Sequence, residues 1–188
     1  MLPFQSLAII SAMKEALIVV DFQKDFVDGS LGFEKARQIR GSVVKAIESA
    51  LARKADLIFT FDTHDQSYLD THEGHCLPVK HALEGTEGWK LDSSIAAYLS
   101  KARFTFTKNA FGSMELGRRL AEEGYDKVEL CGLVLDICVL ANAVIARASL
   151  PEADILVNLG ASAGLTEEKE RSAASILQSQ HIRAEVIK

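Results

Sequence analysis

The sequence predicts an α/β protein of three layers, an open, mainly parallel six-stranded sheet with helices on both faces. Three observations predict it. Six short β-rich runs are spread along the 188 residues, several are near-continuous in apolar or β-branched residues instead of alternating, and helical patterns lie between them. A strand covered on both faces has no solvent side to pattern, and repeated βα units lay their crossover helices onto the sheet.

The strands are expected at Ala16–Asp21, Asp56–Asp62, Arg103–Thr107, Lys127–Gly132, Asp154–Leu159 and Ala184–Ile187. The helices are expected at Glu34–Lys54, Ser94–Ser100, Met114–Glu123, Ile137–Ser149 and Thr166–Gln180. Ser113 and Thr166 can cap the helices they precede, Gly124 can stop the third, and Pro151 cannot continue the fourth. Within the fourth helix, Ala141, Val144, Ile145 and Ala148 read as the buried stripe, and Phe104 with Phe106 as packing one sheet face. The segment Thr63–Gly88 exceeds the usual length of a connection, which marks it as functional or as a lid.

Composition bounds the function. At 188 residues and 48% hydrophobic, the chain can build one core without disulfides or a structural metal. Residues 14–188 are expected to form a single domain, with residues 1–13 an extension or the trace of an upstream start. The net charge of -5, with 21 basic and 26 acidic residues in no long block, argues against nucleic-acid and membrane partners. The apolar stretch Leu7–Val20 is broken by Lys14 and Glu15 and has no basic leader ahead of it. Three cysteines, Cys76, Cys131 and Cys138, match neither a disulfide framework nor a zinc finger, and a reducing cytoplasm is the expected location.

Ligands of open α/β sheets bind beyond the carboxyl ends of the strands. Asp21 ends the first expected strand, Asp62 the second with Thr63 and His64 behind it, and Lys108 the third; the fourth runs through Gly132 toward Cys138. Cys138 falls at the start of a predicted helix, where unpaired N–H groups favour a thiolate; Asp21 could take its proton and Lys108 steady both anions. On position alone Cys138 reads equally well as a small buried hydrophobe. Four of the five histidines lie between His64 and His81, with Asp62 and Glu73 among them. Imidazole and carboxylate suit zinc, iron or manganese, while a histidine-bearing loop can equally be solvated surface. No phosphate-binding glycine loop is present.

The motifs Val20-Asp21-Phe22-Gln23-Lys24-Asp25-Phe26, Asp62-Thr63-His64, Pro78-Val79-Lys80-His81, Gly85-Thr86-Glu87-Gly88, Thr107-Lys108, Phe111-Gly112-Ser113 and Gly132 through Cys138 occur in this order. Together they resemble the isochorismatase-like cysteine hydrolases, and within them the nicotinamidases and pyrazinamidases. The resemblance runs from Lys14 over nearly the whole chain. It implies a triad of Asp21, Lys108 and Cys138, and a cis peptide between Leu133 and Val134, with the Val134 and Cys138 amides as an oxyanion hole. It implies a divalent metal, zinc in the first place and iron or manganese otherwise, on Asp62, His64 and His81, with Glu73 a fourth ligand as in some relatives. Leu135, Val134, Leu77 and Ala82 depart from the usual pattern, and these positions border the implied pocket, for which Phe26 and Leu77 are expected apolar walls.

The function expected from these residues is hydrolysis of nicotinamide to nicotinate and ammonia through a thioester. A related hydrolase of another small amide or carbamoyl group is the first alternative, and a flavodoxin-like binding module without catalysis the second. The expected partner is a small amide, with a homo-oligomer as a further expectation.

Overall fold

The computed structural model describes residues 13–187, so the expected extension lies outside them up to residue 12. Six strands form one sheet: β1 (Glu15–Val20), β2 (Asp56–Asp62), β3 (Phe104–Lys108), β4 (Lys127–Leu133), β5 (Asp154–Ala163) and β6 (Arg183–Glu185). Their order is β3-β2-β1-β4-β5-β6 and every pairing is parallel. Chain order therefore reverses direction at β1, between β2 and β4, which opens a crevice at the carboxyl ends of those strands.

The helices are α1 (Lys24–Val27), α2 (Glu34–Gln38), α3 (Arg40–Ala52), α4 (His72–Cys76), α5 (Met114–Glu123), α6 (Leu140–Ser149) and α7 (Glu167–Ser179). The core lies in two layers because successive β residues point to opposite faces. Ile18 and Val20 pack with Leu116 and Leu120 of α5, Ala143 and Ala146 of α6 and Leu177 of α7. Leu17 and Val19 pack with Phe26 of α1, Ala36 of α2 and Val43 and Ile47 of α3. The expected caps form: Ser113 Oγ accepts from Leu116 N at 3.1 Å, Thr166 Oγ1 from Lys169 N at 3.2 Å, and Gly124 ends α5 at φ 63°.

Several boundaries differ from expectation. The single helix read over Glu34–Lys54 is broken at Ile39, which turns its side chain into the core and lets Arg40 reach Asp92. The helix read over Ser94–Ser100 is a 3-10 turn over Ala96–Lys101. Its entry is spent on a tight turn in which Asp92 O accepts from both Ile95 N and Ala96 N. β5 runs on past its expected end at Leu159 to Ala163, through an irregularity after which pairing resumes at Gly132↔Ser162. The last strand is three residues long. In α6 the buried face is Asn142, Ala143 and Ala146, whereas Val144 is exposed. The observed buried face is rotated from the predicted stripe toward Asn142.

Asp92 ties the 91–95 segment to the body: its N–H donates to Phe22 O at 2.9 Å and its carboxylate takes Arg40 Nε and Nη2 at 3.1 and 2.8 Å. Burial opposes its charge, but the Arg40 and Ser94 hydrogen bonds outweigh that and hold the carboxyl below its ordinary 3.8. A depressed carboxyl contributes stability that is complete above its ordinary value and lost as pH falls through the native one. Asp92→Asn is expected to cost about 2 kcal/mol at pH 7. In urea unfolding the deficit should shrink below pH 3.8.

Candidate active site

Four strand ends converge on the crevice. Val20 pairs with Thr60 and with Gly132, and Asp62 pairs with Lys108, so Asp21, Asp62, Lys108 and the turn after Leu133 meet at one edge. Gly132 makes the close approach: at φ 119° a Cβ would run into the Val20 carbonyl. The Leu133–Val134 peptide is cis.

Lys108 sits at the centre, 7% exposed. Its Nζ lies 2.6 Å from Asp21 Oδ2, 3.4 Å from Asp62 Oδ1 and 3.6 Å from Cys138 Sγ. Burial works against the ammonium, but Asp21, Cys138 and Asp62 outweigh it and keep the proton on the amine. Asp21 holds φ 44°, a backbone region that non-glycine residues seldom occupy. Its Oδ1 accepts from Thr60 Oγ1 at 2.7 Å and its Oδ2 pairs with the Lys108 ammonium at 2.6 Å. A carboxylate oxygen can accept more than one hydrogen bond, so Oδ2 keeps the capacity to take a proton. Burial, eased by Lys108, raises the Asp21 carboxyl above its usual range.

Helical geometry begins at Leu135, in a π turn over Leu135–Val139, and Cys138 is its fourth residue. Burial, followed by Asp21, pushes the thiol up despite Lys108. The π turn also matters to the main chain: Val134 O accepts from Ile137 N at 3.0 Å and Val139 N at 3.1 Å, passing over the Cys138 N–H. Of the other thiols, Cys131 is buried in β4 and Cys76 is exposed at the end of α4.

The second group adjoins Lys108 through Asp62. The ligand atoms of Asp62, His64, Glu73 and His81 all lie within 4.8 Å of one another. Asp62 Oδ2 is 3.0 Å from His64 Nε2 and 3.3 Å from His81 Nε2, and Glu73 Oε1 is 3.9 and 3.6 Å from the same nitrogens. His81 Nδ1 lies 2.8 Å from Val79 O. A carbonyl can only accept, so Nδ1 carries hydrogen and Nε2 is the nitrogen turned to the cluster. Burial opposes charge on His81, but Asp62, Glu73 and the Val79 carbonyl push it up to about 10. The carboxylates that hold this proton are those that would offset a dication, and a mixed imidazole and carboxylate set of this size fits zinc, iron or manganese.

Side chains that sequence reasoning passed over hold the site. Buried Gln23 clamps the Asp62 main chain, donating to Asp62 O at 2.9 Å and Trp89 O at 2.8 Å and accepting from Asp62 N at 2.8 Å. Tyr68 backs both imidazoles, its ring centroid 4.7 Å from that of His64 and 4.9 Å from that of His81. Asn142 ties the Phe111 and Cys138 carbonyls together at 3.0 and 2.8 Å and accepts from Ser113 N. Gln23 lay inside a quoted motif; Tyr68 and Asn142 carried no local signal.

A cavity of about 450 Å³ opens beside the cluster, lined by His64, Glu73 and Thr71 on one side and Asn109, Ala110 and Phe111 on another, with His72 and Cys76 at α4. Phe26 lies behind His81, ring centroids 5.5 Å apart, and Leu77 is 37% exposed at the end of α4; both are outside this lining. His72 lines the cavity and is not among the four clustered ligands.

The isochorismatase domain family matches residues 15–186. This chain belongs to the isochorismatase family. Members of the family are hydrolases. In fold, this isochorismatase-family hydrolase is similar to the crystal structure of nicotinamidase PncA from Bacillus subtilis, at 28% identity and a TM-score of 0.81 over 92% of this chain and 99% of the other. It is also similar to the pyrazinamidase of Pyrococcus horikoshii in complex with zinc, at 25% identity and a TM-score of 0.77 over 93% and 99% of the two chains. A third likeness is N-carbamoylsarcosine amidase from Thermoplasma acidophilum, at 25% identity and a TM-score of 0.77 over 93% and 96%. Among the described residues, no helix of this family member is long and apolar enough to cross a membrane.

Proposed function

We propose that this chain is a metal-dependent cysteine amidohydrolase that converts nicotinamide to nicotinate and ammonia. The observation that carries the reading is the placement of Lys108 Nζ, 2.6 Å from Asp21 and 3.6 Å from Cys138, with Asp62 of the metal cluster at 3.4 Å. Catalytic residues in this reading are Asp21, Lys108 and Cys138, and the metal ligands Asp62, His64, His81 and Glu73.

Asp21 Oδ2 takes the thiol proton of Cys138, and Lys108 offsets the charge of the pair. The sulfur attacks the carboxamide carbon, and the carbonyl electrons move to an oxygen held by the Val134 and Cys138 N–H groups. As that intermediate collapses, the C–N bond breaks, Asp21 returns its proton to the departing nitrogen, and ammonia leaves a thioester on Cys138. Water, deprotonated by Asp21, then attacks the thioester; nicotinate departs and the proton returns to sulfur. Asp62, His64, Glu73 and His81 would hold the metal, taken to be zinc, which when bound would supply a Lewis-acid centre for the ring nitrogen and for water. A ring in the cavity lies against Phe111, with Phe26 behind His81 and Leu77 at the outer edge.

Ammonia release from nicotinamide, pyrazinamide and an N-carbamoyl amino acid tests the reading, with and without chelator. Turnover of the two aromatic amides, lost on chelation and restored by zinc, is the expected result. Likeness to the carbamoylsarcosine amidase favours a second reading, hydrolysis of a carbamoyl group, and turnover of that substrate alone would select it. No release from any member of the panel overturns both.

A further inference from the structure

The connection that follows β1 and carries Asp21 also reaches the loop of His81. Asp25, on α1, accepts from Ala82 N at 2.8 Å through Oδ2, and its own N–H donates to Gly88 O at 3.0 Å. Ala82 directly follows His81, is fully buried and holds φ 45°, a conformation that L side chains rarely adopt. Its carbonyl accepts from His64 N at 3.0 Å. Ala82 is therefore fastened through its N–H to the first connection and through its carbonyl to the end of β2.

Resting on the reading of Asp62, His64, Glu73 and His81 as a metal centre, we propose that Asp25 is a positioning residue for that centre, holding His81 through the Ala82 main chain. Without an acceptor for its N–H, the Ala82 turn has nothing to offset its unfavourable φ. It relaxes, and His81 Nε2 leaves its place 3.3 Å from Asp62 Oδ2. Gly88 supplies an independent sign that room is kept for this carboxylate. A Cβ there would run into the Asp25 carboxylate itself, while the Gly88 backbone holds no positive φ that would call for glycine.

The test is a titration of the full chain, stripped of metal, with Zn²⁺ in competition with a chromophoric chelator, alongside thermal unfolding of each metal-free protein. Asp25→Ala removes the acceptor, and Gly88→Ala pushes the same carboxylate aside from another segment. Each is expected to weaken zinc about ten- to a hundredfold. Asp25→Asn keeps a carbonyl oxygen for the Ala82 N–H and should bind zinc close to wild type. Wild-type affinity in a folded Ala variant overturns the proposal, as does a loss in Asp25→Asn equal to that in Asp25→Ala. Failure of both Ala variants to fold assigns Asp25 to the fold and also overturns it. Absence of zinc binding by the wild type is a separate outcome, because it removes the metal reading itself.

Discussion

Cys138→Ala is expected to lower amide turnover by at least about 10⁴-fold. The sulfur is the atom that joins the substrate in the proposed route, and among the described residues no other thiol lies beside Lys108 and Asp21. Cys131 faces the opposite core layer, and Cys76 stands on α4 beyond the metal cluster. The fold should survive, since exchanging a small buried thiol for a methyl group leaves a cavity worth about 1 kcal/mol. Steady-state ammonia release checks the first statement and urea unfolding the second. Turnover within tenfold of wild type would remove Cys138 from the reaction.

Lys108→Met carries the second large effect, because it damages chemistry and folding together. The ammonium is the cation that faces both Asp21 and Asp62, and Asp21 is 1% exposed. Removing one partner of a buried ion pair typically costs about 3–5 kcal/mol. Without the amine, burial and the Asp62 carboxylate act on Asp21 with only the Thr60 hydrogen bond against them, and its carboxyl rises further from the ordinary 3.8. A group raised in the native state contributes stability below its unfolded value and loses it as pH rises through the native one. The variant should thus be least stable above neutrality and recover toward acid pH. Adding Asp21→Asn should return part of the stability and none of the turnover, which urea unfolding at several pH values and ammonia release would separate.

The sheet was legible because buried parallel strands write themselves as short apolar runs, and β1, β2 and β4 lie within one residue of their expected bounds. Asp21, Asp62 and Lys108 could be placed for the same reason, being the first polar residues after such runs. What failed had one cause: the fate of a polar side chain is decided by partners distant in sequence. Asn142 belongs to the core because Phe111 and Ser113 come to meet it 31 and 29 residues away, and missing this misphased α6. Glu73 joins the cluster while neighbouring His72 does not, a distinction set by the phase of a five-residue helix.

The crevice at β1 also constrains how this protein can gain activity as it folds. Each reactive group is delivered by a separate strand, β1, β2, β3 and β4, and these four are contiguous in the sheet, while β5 and β6 deliver none. A slip of one residue in any of the three pairings that join them shifts a strand end by about 3.3 Å and turns its side chain to the opposite face. No partial assembly of those strands can hold a sulfur, an ammonium and two carboxylates together. Regained turnover after dilution from denaturant is therefore expected to report the last of these three pairings to form, whereas fraying at the β6 edge should leave it untouched.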